Sequence, residues 1–265
     1  MPLLERTPGL LEALRGEMTP KFLATRSAAG VPNVVPVVSI LPAEDRPDTL
    51  FFGNFLLRKS IGNLAEDSRV GILVITPELR GWTFSGDFLE FQRTGPYVDR
   101  QMNSGLLRYN AYTGIRNAGV IRVRAMHGTL VIPRLQVAWD YLLARLAALR
   151  RPARSDGGTR IPLPVRREFA RMIAVKVLAW MGTDGYPIIV PALSLQPAGE
   201  RALVCRLGKE RPGPPIEGRV ATNILTFEAI SYQVKGRCTA TGRTCALQAE
   251  EVYAGGPPLP GGRVA

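Results

Sequence analysis

Short apolar or alternating runs bounded by turn residues recur along the first half of the chain, and such runs predict β-strands. The predicted strands are Lys21–Arg26, Asn33–Leu41, Leu50–Phe52, Val70–Thr76, Gly81–Phe91 and Gly119–Ile132. Helical spacing of apolar residues predicts helices over Leu3–Arg15, Ile61–Glu66 and Leu135–Arg150. The pattern therefore predicts a mainly β protein with flanking helices (α+β).

Glycine and proline mark the connections between these strands. Ala28-Ala29-Gly30 predicts a hairpin, and Pro77-Glu78 predicts a second one. Pro36 lies inside a predicted strand but has no N–H to donate, so this strand is expected at a barrel edge or at a bulge. The missing ladder partner also leaves room for a flat ligand along the strand.

The pattern repeats. Phe22–Ser39 aligns without a gap with Val177–Ser194. Further on, Arg69-Val70, Glu78 and Gly86 recur in the same order as Arg219-Val220, Glu228 and Gly236. Self-similarity of this kind predicts repeated structural units. The expected organisation is a first unit over residues 1–133, a helix and linker over 134–164, and a second unit over 165–265.

Composition narrows the function classes. The 265 residues carry a formal charge of +12, supplied mostly by arginines that are scattered rather than clustered, and this argues against nucleic-acid binding. No apolar run reaches the roughly 18 residues that a membrane span needs, and the amino terminus is too charged for a secretion signal. Three cysteines are too few for a disulfide framework. We therefore expect a cytoplasmic protein with no membrane partner.

The strongest candidate site lies in Phe51–Leu64, FFGNFLLRKSIGNL. An apolar strand end is followed by Gly53-Asn54, which tolerate a turn, and then by Arg58-Lys59-Ser60 at the start of a predicted helix. Backbone donors at a helix start, flanked by cationic side chains and a hydroxyl, suit a phosphate monoester. The stretch therefore predicts an anion site.

Together with the LAT strand at Leu23–Thr25 and the G-x-P-x-x-x-P spacing of Gly30, Pro32 and Pro36, this stretch resembles the pyridoxamine 5'-phosphate oxidase-like FMN-binding split-barrel family. The resemblance implies two tandem split β-barrels that form an intrachain pseudo-dimer. It also implies FMN as cofactor, with three groups of residues around it. They are Pro36, Val37, Val38 and Ser39 along the isoalloxazine ring, Phe52, Gly53 and Asn54 by the ring and ribityl chain, and Arg58, Lys59 and Ser60 at the phosphate.

The second copy lacks this stretch. In its place stands VCRLGKERPGPPIEG, where Pro212, Pro214 and Pro215 forbid the short helix although Lys209 and Arg211 remain. We therefore expect one FMN per chain, held in a groove that the second copy walls like a partner subunit. Leu135–Arg150 is expected to span between the two barrels. The chain is then a monomer with pseudo-dimeric barrels or a homodimer.

The resemblance implies an oxidoreductase in which hydride passes through flavin N5, from a small-molecule substrate or reduced nicotinamide. No catalytic side chain or metal site is evident in the sequence. Val35 and Ile40 stand where true pyridoxamine phosphate oxidases carry phosphate-binding arginine and lysine, and Pro257–Ala265 lacks their substrate motif. Pyridoxamine phosphate oxidation is therefore not predicted. The alternative is a non-catalytic flavin, haem or F420 binding protein, with His127, the sole histidine, as a candidate haem ligand.

Overall fold

The strands pair into two antiparallel sheets of seven strands each. The computed structural model describes residues 1–55, 57–105, 115–150, 157–208, 216, 218–255 and 261–265. The first sheet contains β1 (Lys21–Arg26), β2 (Pro32–Pro36), β3 (Leu41–Pro42), β4 (Thr49–Gly53), β5 (Arg69–Ile75), β6 (Arg80–Gln92) and β7 (Ala118–Val131). The second contains β8 (Val175–Met181), β9 (Pro187–Pro191), β10 (Gln196–Pro197), β11 (Ala202–Arg206), β12 (Gly218–Leu225), β13 (Ser231–Thr241) and β14 (Thr244–Ala254).

The two sheets have the same strand order. The first runs β2-β1-β5-β6-β7-β4-β3, and the second runs β9-β8-β12-β13-β14-β11-β10 when read in the same direction. Each strand of the first sheet thus has a counterpart seven places later. The predicted fold, two tandem split barrels in one mainly β chain, is confirmed.

The glycines shared by the two copies stand where the backbone conformation or the close packing of strands requires them. Gly30 and Gly185 adopt φ values of 72° and 79°, which a hairpin turn needs and other residues avoid. Gly86 and Gly236 both follow a register shift between neighbouring strands. A side chain at either position would collide with the backbone of the paired strand. The repeat therefore records turns and bulges that the fold requires.

Six helices lie around the sheets among the described residues: α1 (Leu3–Arg6), α2 (Leu10–Arg15), α3 (Lys59–Glu66), α4 (Pro96–Met102), α5 (Arg134–Arg150) and α6 (Leu163–Phe169). The single helix predicted over Leu3–Arg15 is wrong, because Gly9 at φ 78° separates α1 from α2. In the described part of the chain, no helix is long and apolar enough to cross a membrane.

The strand predicted over Asn33–Leu41 is shorter than expected. It ends at Pro36; Val37 N–H still donates to Lys21 O at 2.7 Å, and a turn follows in which Ile40 N–H donates to Val37 O at 3.2 Å. Strand β2 does lie at the edge of its sheet, as Pro36 predicted. The turn matters because it brings Ser39 to the end of β4, where its hydroxyl bonds Gly53.

The copies pack against each other as a pseudo-dimer. A shared core joins Phe22, Ala24 and Val34 of the first copy to their counterparts Val177, Ala179 and Ile189. Two buried hydrogen bonds also cross in counterpart positions. Thr83 Oγ1 donates to Ile189 O at 2.8 Å, and Gln233 Nε2 donates to Val34 O. Exchanging the two copies therefore maps the interface onto itself.

Helix α5 lies on the second copy rather than bridging the barrels along its length. It contacts β10 and β11, and Asp140 on this helix is buried and bound to Arg206 and Arg243 at 3.2 and 2.9 Å. Only its first turns reach the space between the copies. The expectation that Leu135–Arg150 spans between the barrels is corrected accordingly.

Candidate functional site

A groove of about 1100 Å³ lies between the two copies. It is lined by eight of the ten residues that the sequence singled out: Pro36, Val37, Val38, Ser39, Gly53, Arg58, Lys59 and Ser60. Its opposite wall comes from the second copy and contains Met172–Val175, Asn223, Leu225, Thr226–Ala229 and Tyr253–Gly255. One space therefore adjoins the candidate ring segment, the candidate phosphate segment and the second barrel.

Ser39 fixes the end of the ring segment. Its hydroxyl donates to Gly53 O at 3.3 Å and accepts from Gly53 N–H at 3.2 Å. Its carbonyl accepts a hydrogen bond from Gln101 Nε2 at 2.8 Å. Because these groups are buried, the bonds hold Pro36–Ser39 against the end of β4 with little freedom to move.

Gly53 leaves space that no other residue would leave. A Cβ placed there would lie 2.7 Å from the Phe55 ring, 3.0 Å from Gln101 Oε1 and 3.1 Å from an Ile115 methyl carbon. All three distances are shorter than ordinary van der Waals contacts. The glycine therefore allows the groove to approach the backbone at the end of β4.

Phe52 and Asn54 do not line the groove. The Phe52 side chain is fully buried in the first core, edge-on to Phe91 with ring centroids 6.3 Å apart. Asn54 is buried as well, and its Nδ2 donates to Asn117 Oδ1 at 3.1 Å. Their side chains thus support the site from behind.

Helix α3 presents its first turn to the groove. Arg58 is the residue at its N-cap, and no side chain caps the free N–H groups that follow. Ser60, in the first turn, accepts a hydrogen bond from Asn33 Nδ2 at 3.1 Å, and this leaves its hydroxyl proton available to a ligand. Uncapped donors, the Arg58 guanidinium and a positioned hydroxyl together make this the candidate anion site.

Lys59 reaches across to the second copy. Its Nζ donates to the Tyr253 hydroxyl at 2.6 Å, lies 3.5 Å from a Glu251 carboxylate oxygen and sits 4.3 Å from the Tyr253 ring centroid. Burial lowers the pKa of Lys59, but the bond to Tyr253 and the charge of Glu251 outweigh it and raise the pKa. The ammonium is therefore held charged at the edge of the groove.

Lys235 adds a second ammonium behind this pair. It is buried opposite Glu251 in the register of β13 and β14, and its Nζ lies 5.7 Å from the Tyr253 ring centroid. Burial, followed by repulsion from Lys59, lowers the pKa of Lys235 to about 7. The cluster of Lys59, Lys235, Glu251 and Tyr253 thus joins the copies at the candidate phosphate end.

Sequence reasoning missed Asn33, Lys235, Glu251 and Tyr253. Asn33 carries a usable signal, since a buried polar residue on an otherwise apolar strand needs a partner. The other three carry no such signal, because they meet Lys59 only where the two barrels pack together. Lys59 and Tyr253, for example, are 194 positions apart in the sequence.

The second copy carries a larger residue at the corresponding place. Ser194 repeats the bonds of Ser39, donating to Arg206 O and accepting from Arg206 N–H, both at 2.8 Å. Arg206 therefore stands where the first copy has Gly53, and its guanidinium binds Asp140 of α5. The proline-rich stretch with Lys209, Arg211 and Pro212–Pro215 lies outside the described residues.

His127 and the cysteines take no part in the groove. His127 is half-buried on β7, and burial lowers its pKa although Asp184 opposes the shift. Cys205, Cys238 and Cys245 are buried in the core of the second copy. Among the described residues, no group of three or more histidine, cysteine, aspartate or glutamate side chains is placed to hold a metal ion.

Comparison with known proteins gives likeness in structure only. No family model and no curated protein matches the chain. Over 47% of its length the chain is similar to HupZ (H111A) of Group A Streptococcus, at 21% identity, 98% coverage of that chain and a TM-score of 0.38. It is similar to an FMN-binding protein of Syntrophomonas wolfei over 50% of this chain and 88% of that one, at 18% identity and a TM-score of 0.40. It is also similar to HutZ, the haem storage protein of Vibrio cholerae, over 47% of this chain and 92% of that one, at 17% identity and a TM-score of 0.36.

Proposed function

We propose that the groove binds one FMN per chain and that the protein is a flavin-dependent oxidoreductase. The observation that carries this proposal is the single groove that adjoins Pro36–Ser39, the uncapped start of α3 and the second barrel. This is the arrangement that the resemblance to the FMN-binding split barrels implies. Its volume of about 1100 Å³ is ample for one cofactor-sized ligand, since pockets for such ligands span roughly 300–1,000 Å³.

The donor set suits a phosphate monoester. Arg58, the first N–H groups of α3 and the Ser60 hydroxyl would hold the phosphate, with Lys59 as a further charge that Tyr253 and Glu251 orient. Charge-assisted hydrogen bonds of this kind contribute about 1.5–3 kcal/mol each. An anion at this position would also compensate Lys235, whose buried ammonium is otherwise disfavoured.

The apolar segment suits a flat ring. Pro36–Ser39 is fixed by the bonds of Ser39 and Gln101, and Gly53 leaves the β4 backbone open beside it. A bound flavin would supply the redox chemistry by accepting a hydride at N5 from an organic substrate or reduced nicotinamide. The chain's own residues bind and orient the ring and exclude water from it. No described side chain is assigned as a proton donor.

The decisive experiment is an absorption spectrum of the purified protein, followed by FMN titration. We expect flavin bands near about 450 nm, the region typical of oxidised flavins, and saturation at about one FMN per chain. A Soret band without flavin would support a haem protein instead, and tight binding of F420 in preference to FMN would change the cofactor. Two FMN per chain would show that the second copy also has a working site.

The site assignment needs its own variants. In Arg58→Ala/Lys59→Ala, loss of two charge-assisted contacts predicts FMN binding weaker by about 100-fold or more. Lys209→Ala/Arg211→Ala is the matched control, because it removes two basic residues from the proline-rich stretch of the second copy. Equal losses in both variants would indicate a general effect of charge and contradict the assignment.

The remaining sequence predictions belong with this proposal. We propose that residues 1–133 and 165–265 are the two barrel units, that the chain acts in the cytoplasm, and that the second copy replaces a partner subunit. Sedimentation of the FMN-loaded chain tests the last point. A monomer with full flavin content supports it, and flavin binding that appears only in a dimer contradicts it.

A further inference from the structure

The groove offers more surface than a cofactor needs. A set of large apolar side chains lines it apart from the candidate cofactor residues, and we call this set the apolar wall: Met18, Leu79, Val137, Ile173, Leu193 and Phe227. The groove volume of about 1100 Å³ lies at the upper end of the range of roughly 300–1,000 Å³ for ligand sites. These apolar residues therefore offer lining that the candidate cofactor residues do not account for.

The wall is built across the boundary between the copies. The hairpin Thr76–Leu79 and its counterpart Thr226–Ala229 both line the groove, and their Leu79 and Ala229 share positive φ values of 65° and 60°. Leu193 likewise is the counterpart of Val38 in the ring segment. Part of the wall is thus formed by elements of the second copy whose counterparts line the groove in the first copy.

The second copy does not offer a second flavin the same bare backbone, because Arg206 replaces Gly53 there and its guanidinium is bound to Asp140. The elements of the second copy that face the groove are therefore free for another ligand. The duplication provides one cofactor site and one neighbouring apolar surface.

The charged residues along the wall have opposite charges close by. Glu228 is bound by Arg171 at 2.7 Å, and hydrogen bonds led by that of Arg171 lower its pKa to about 2. Arg134 is near enough to Glu78 to help lower the pKa of that carboxyl group, after the hydrogen bonds of Thr76 and of the Glu78 backbone. Because the Glu228 carboxylate is already paired, this region favours a neutral ligand over a cationic one.

The wall is also open to solvent. Phe227 is 77% exposed, Met18 70% and Ile173 68%, although each is a large apolar side chain. Single exposed apolar residues need no explanation, but several around one groove indicate a binding surface. Covering them with an apolar molecule would recover the free energy of burial, about 25 cal/mol per Å².

We propose that the apolar wall binds a neutral, apolar molecule of flat or extended shape, and that this molecule is the substrate that lies beside the flavin. Its role as substrate rests on the proposed function, whereas the chemistry of the site rests on the wall alone. The substrate class is thus a neutral hydrophobic compound rather than a phosphorylated or carboxylated one.

A pair of fluorescent probes tests the ligand chemistry. N-phenyl-1-naphthylamine is neutral, and 8-anilinonaphthalene-1-sulfonate has nearly the same ring system with an added negative charge. With FMN present to fill the candidate phosphate site, we expect the neutral probe to bind at least about tenfold more tightly, a difference of about 1.4 kcal/mol. Equal or tighter binding of the sulfonate, or no binding of the neutral probe, would overturn the proposal.

Matched double variants locate the binding surface. Ile173→Glu/Phe227→Glu places charges on exposed positions of the wall and should weaken the neutral probe by about tenfold or more. Leu135→Glu/Leu149→Glu is the control, because these side chains are 86% and 72% exposed on α5 and do not line the groove. We expect it to change binding less than about twofold. An equal loss in the control would assign the probe to exposed surface elsewhere.

The same probe separates this proposal from the cofactor proposal. Measured without FMN, the probe can enter the whole groove, including the ring segment Pro36–Ser39. Measured with FMN bound, probe binding reports on the wall, and binding that Ile173→Glu/Phe227→Glu weakens supports the substrate role. Probe binding with no FMN binding would contradict the proposed function and the substrate role together, and would leave an apolar binding site. FMN binding without probe binding would contradict the wall alone.

Discussion

Ser39 and Ser194 make the same pair of backbone hydrogen bonds, but the residues that they hold are Gly53 in one copy and Arg206 in the other. In the first copy the glycine opens the end of β4 to the groove. In the second, the arginine binds Asp140 and anchors α5. A fold element that is identical in both copies therefore serves a candidate ligand site in one and packing in the other.

The two copies also differ in what covers them. The first copy shows its α3 start and ring segment to the groove, where the second copy forms the opposite wall. The second copy has α5 over β10 and β11. Divergence has thus kept the strands, turns and bulges that the fold requires and changed the side chains that face the space between the copies.

The most direct way to break this comparison is to give the first copy the residue of the second. Gly53→Arg should abolish detectable FMN binding, with a loss of at least about 100-fold, because even a Cβ would approach Phe55 to 2.7 Å. Equilibrium titration of FMN measures the loss, and circular dichroism with thermal unfolding checks that the variant is folded. Near-normal flavin binding by a folded variant would show that the ring does not lie beside Gly53.

The reciprocal change tests the second copy. Arg206→Ala should lower the free energy of unfolding by about 2 kcal/mol, because buried Asp140 would keep only Arg243 as an ionic partner. Flavin content should stay unchanged. Arg237→Ala is the control, since Arg237 is paired with Glu250 on the surface and should matter by less than about 0.5 kcal/mol. Equal destabilisation by the two changes would argue against a structural role for Asp140.

The serines sharpen the comparison. Ser39→Ala and Ser194→Ala each leave a buried strand-end N–H without its partner, so each should cost about 1–2 kcal/mol in chemical denaturation. Only Ser39→Ala should also weaken FMN binding, since only Ser39 fixes a segment that lines the candidate site. Weaker flavin binding in both variants would mean that the loss of binding follows from the lower stability of the fold and not from the position of Ser39.

Much of the fold was predictable because the repeat lies in backbone requirements. Gly30 and Gly185 can be recognised from hairpin chemistry, and Pro36 predicted an edge strand correctly. The helix over Leu3–Arg15 failed because Gly9 takes a left-handed conformation that leucine periodicity does not reveal. Local sequence thus predicts elements well where one residue type decides the conformation.

The site was predictable only on the side of the first copy. Arg58, Lys59 and Ser60 form a local motif, whereas Tyr253 and Glu251 reach Lys59 through tertiary packing. Phe52 belongs to an aromatic strand end, but the alternation of β4 turns its ring into the core. Contacts between distant parts of a chain leave no trace in the spacing of either part.

The smallest effect concerns two buried lysines at counterpart positions, Lys21 and Lys176. Lys21 Nζ donates to Gly16 O and Val38 O at 2.9 and 3.0 Å, and Lys176 Nζ donates to Leu195 O at 2.8 Å. Burial lowers the pKa of Lys21 to about 8, although the charge of Glu17 opposes the shift. Burial also lowers the pKa of Lys176, to about 7, and here Cys205 opposes the shift. The two lysines should therefore lose their protons over different pH ranges.

The sign follows from proton binding. Between its folded pKa and 10.5, each lysine is protonated in the unfolded chain and neutral in the folded one, so the free energy of unfolding rises with pH. From pH 7 to 8 Lys176 and Lys235 each contribute at most about 1.4 kcal/mol, and Lys21 contributes less because its folded pKa lies higher. Denaturation curves across this interval should lose more of their slope in Lys176→Met than in Lys21→Met. Equal slopes in the two variants would show that the two lysines do not differ in this respect.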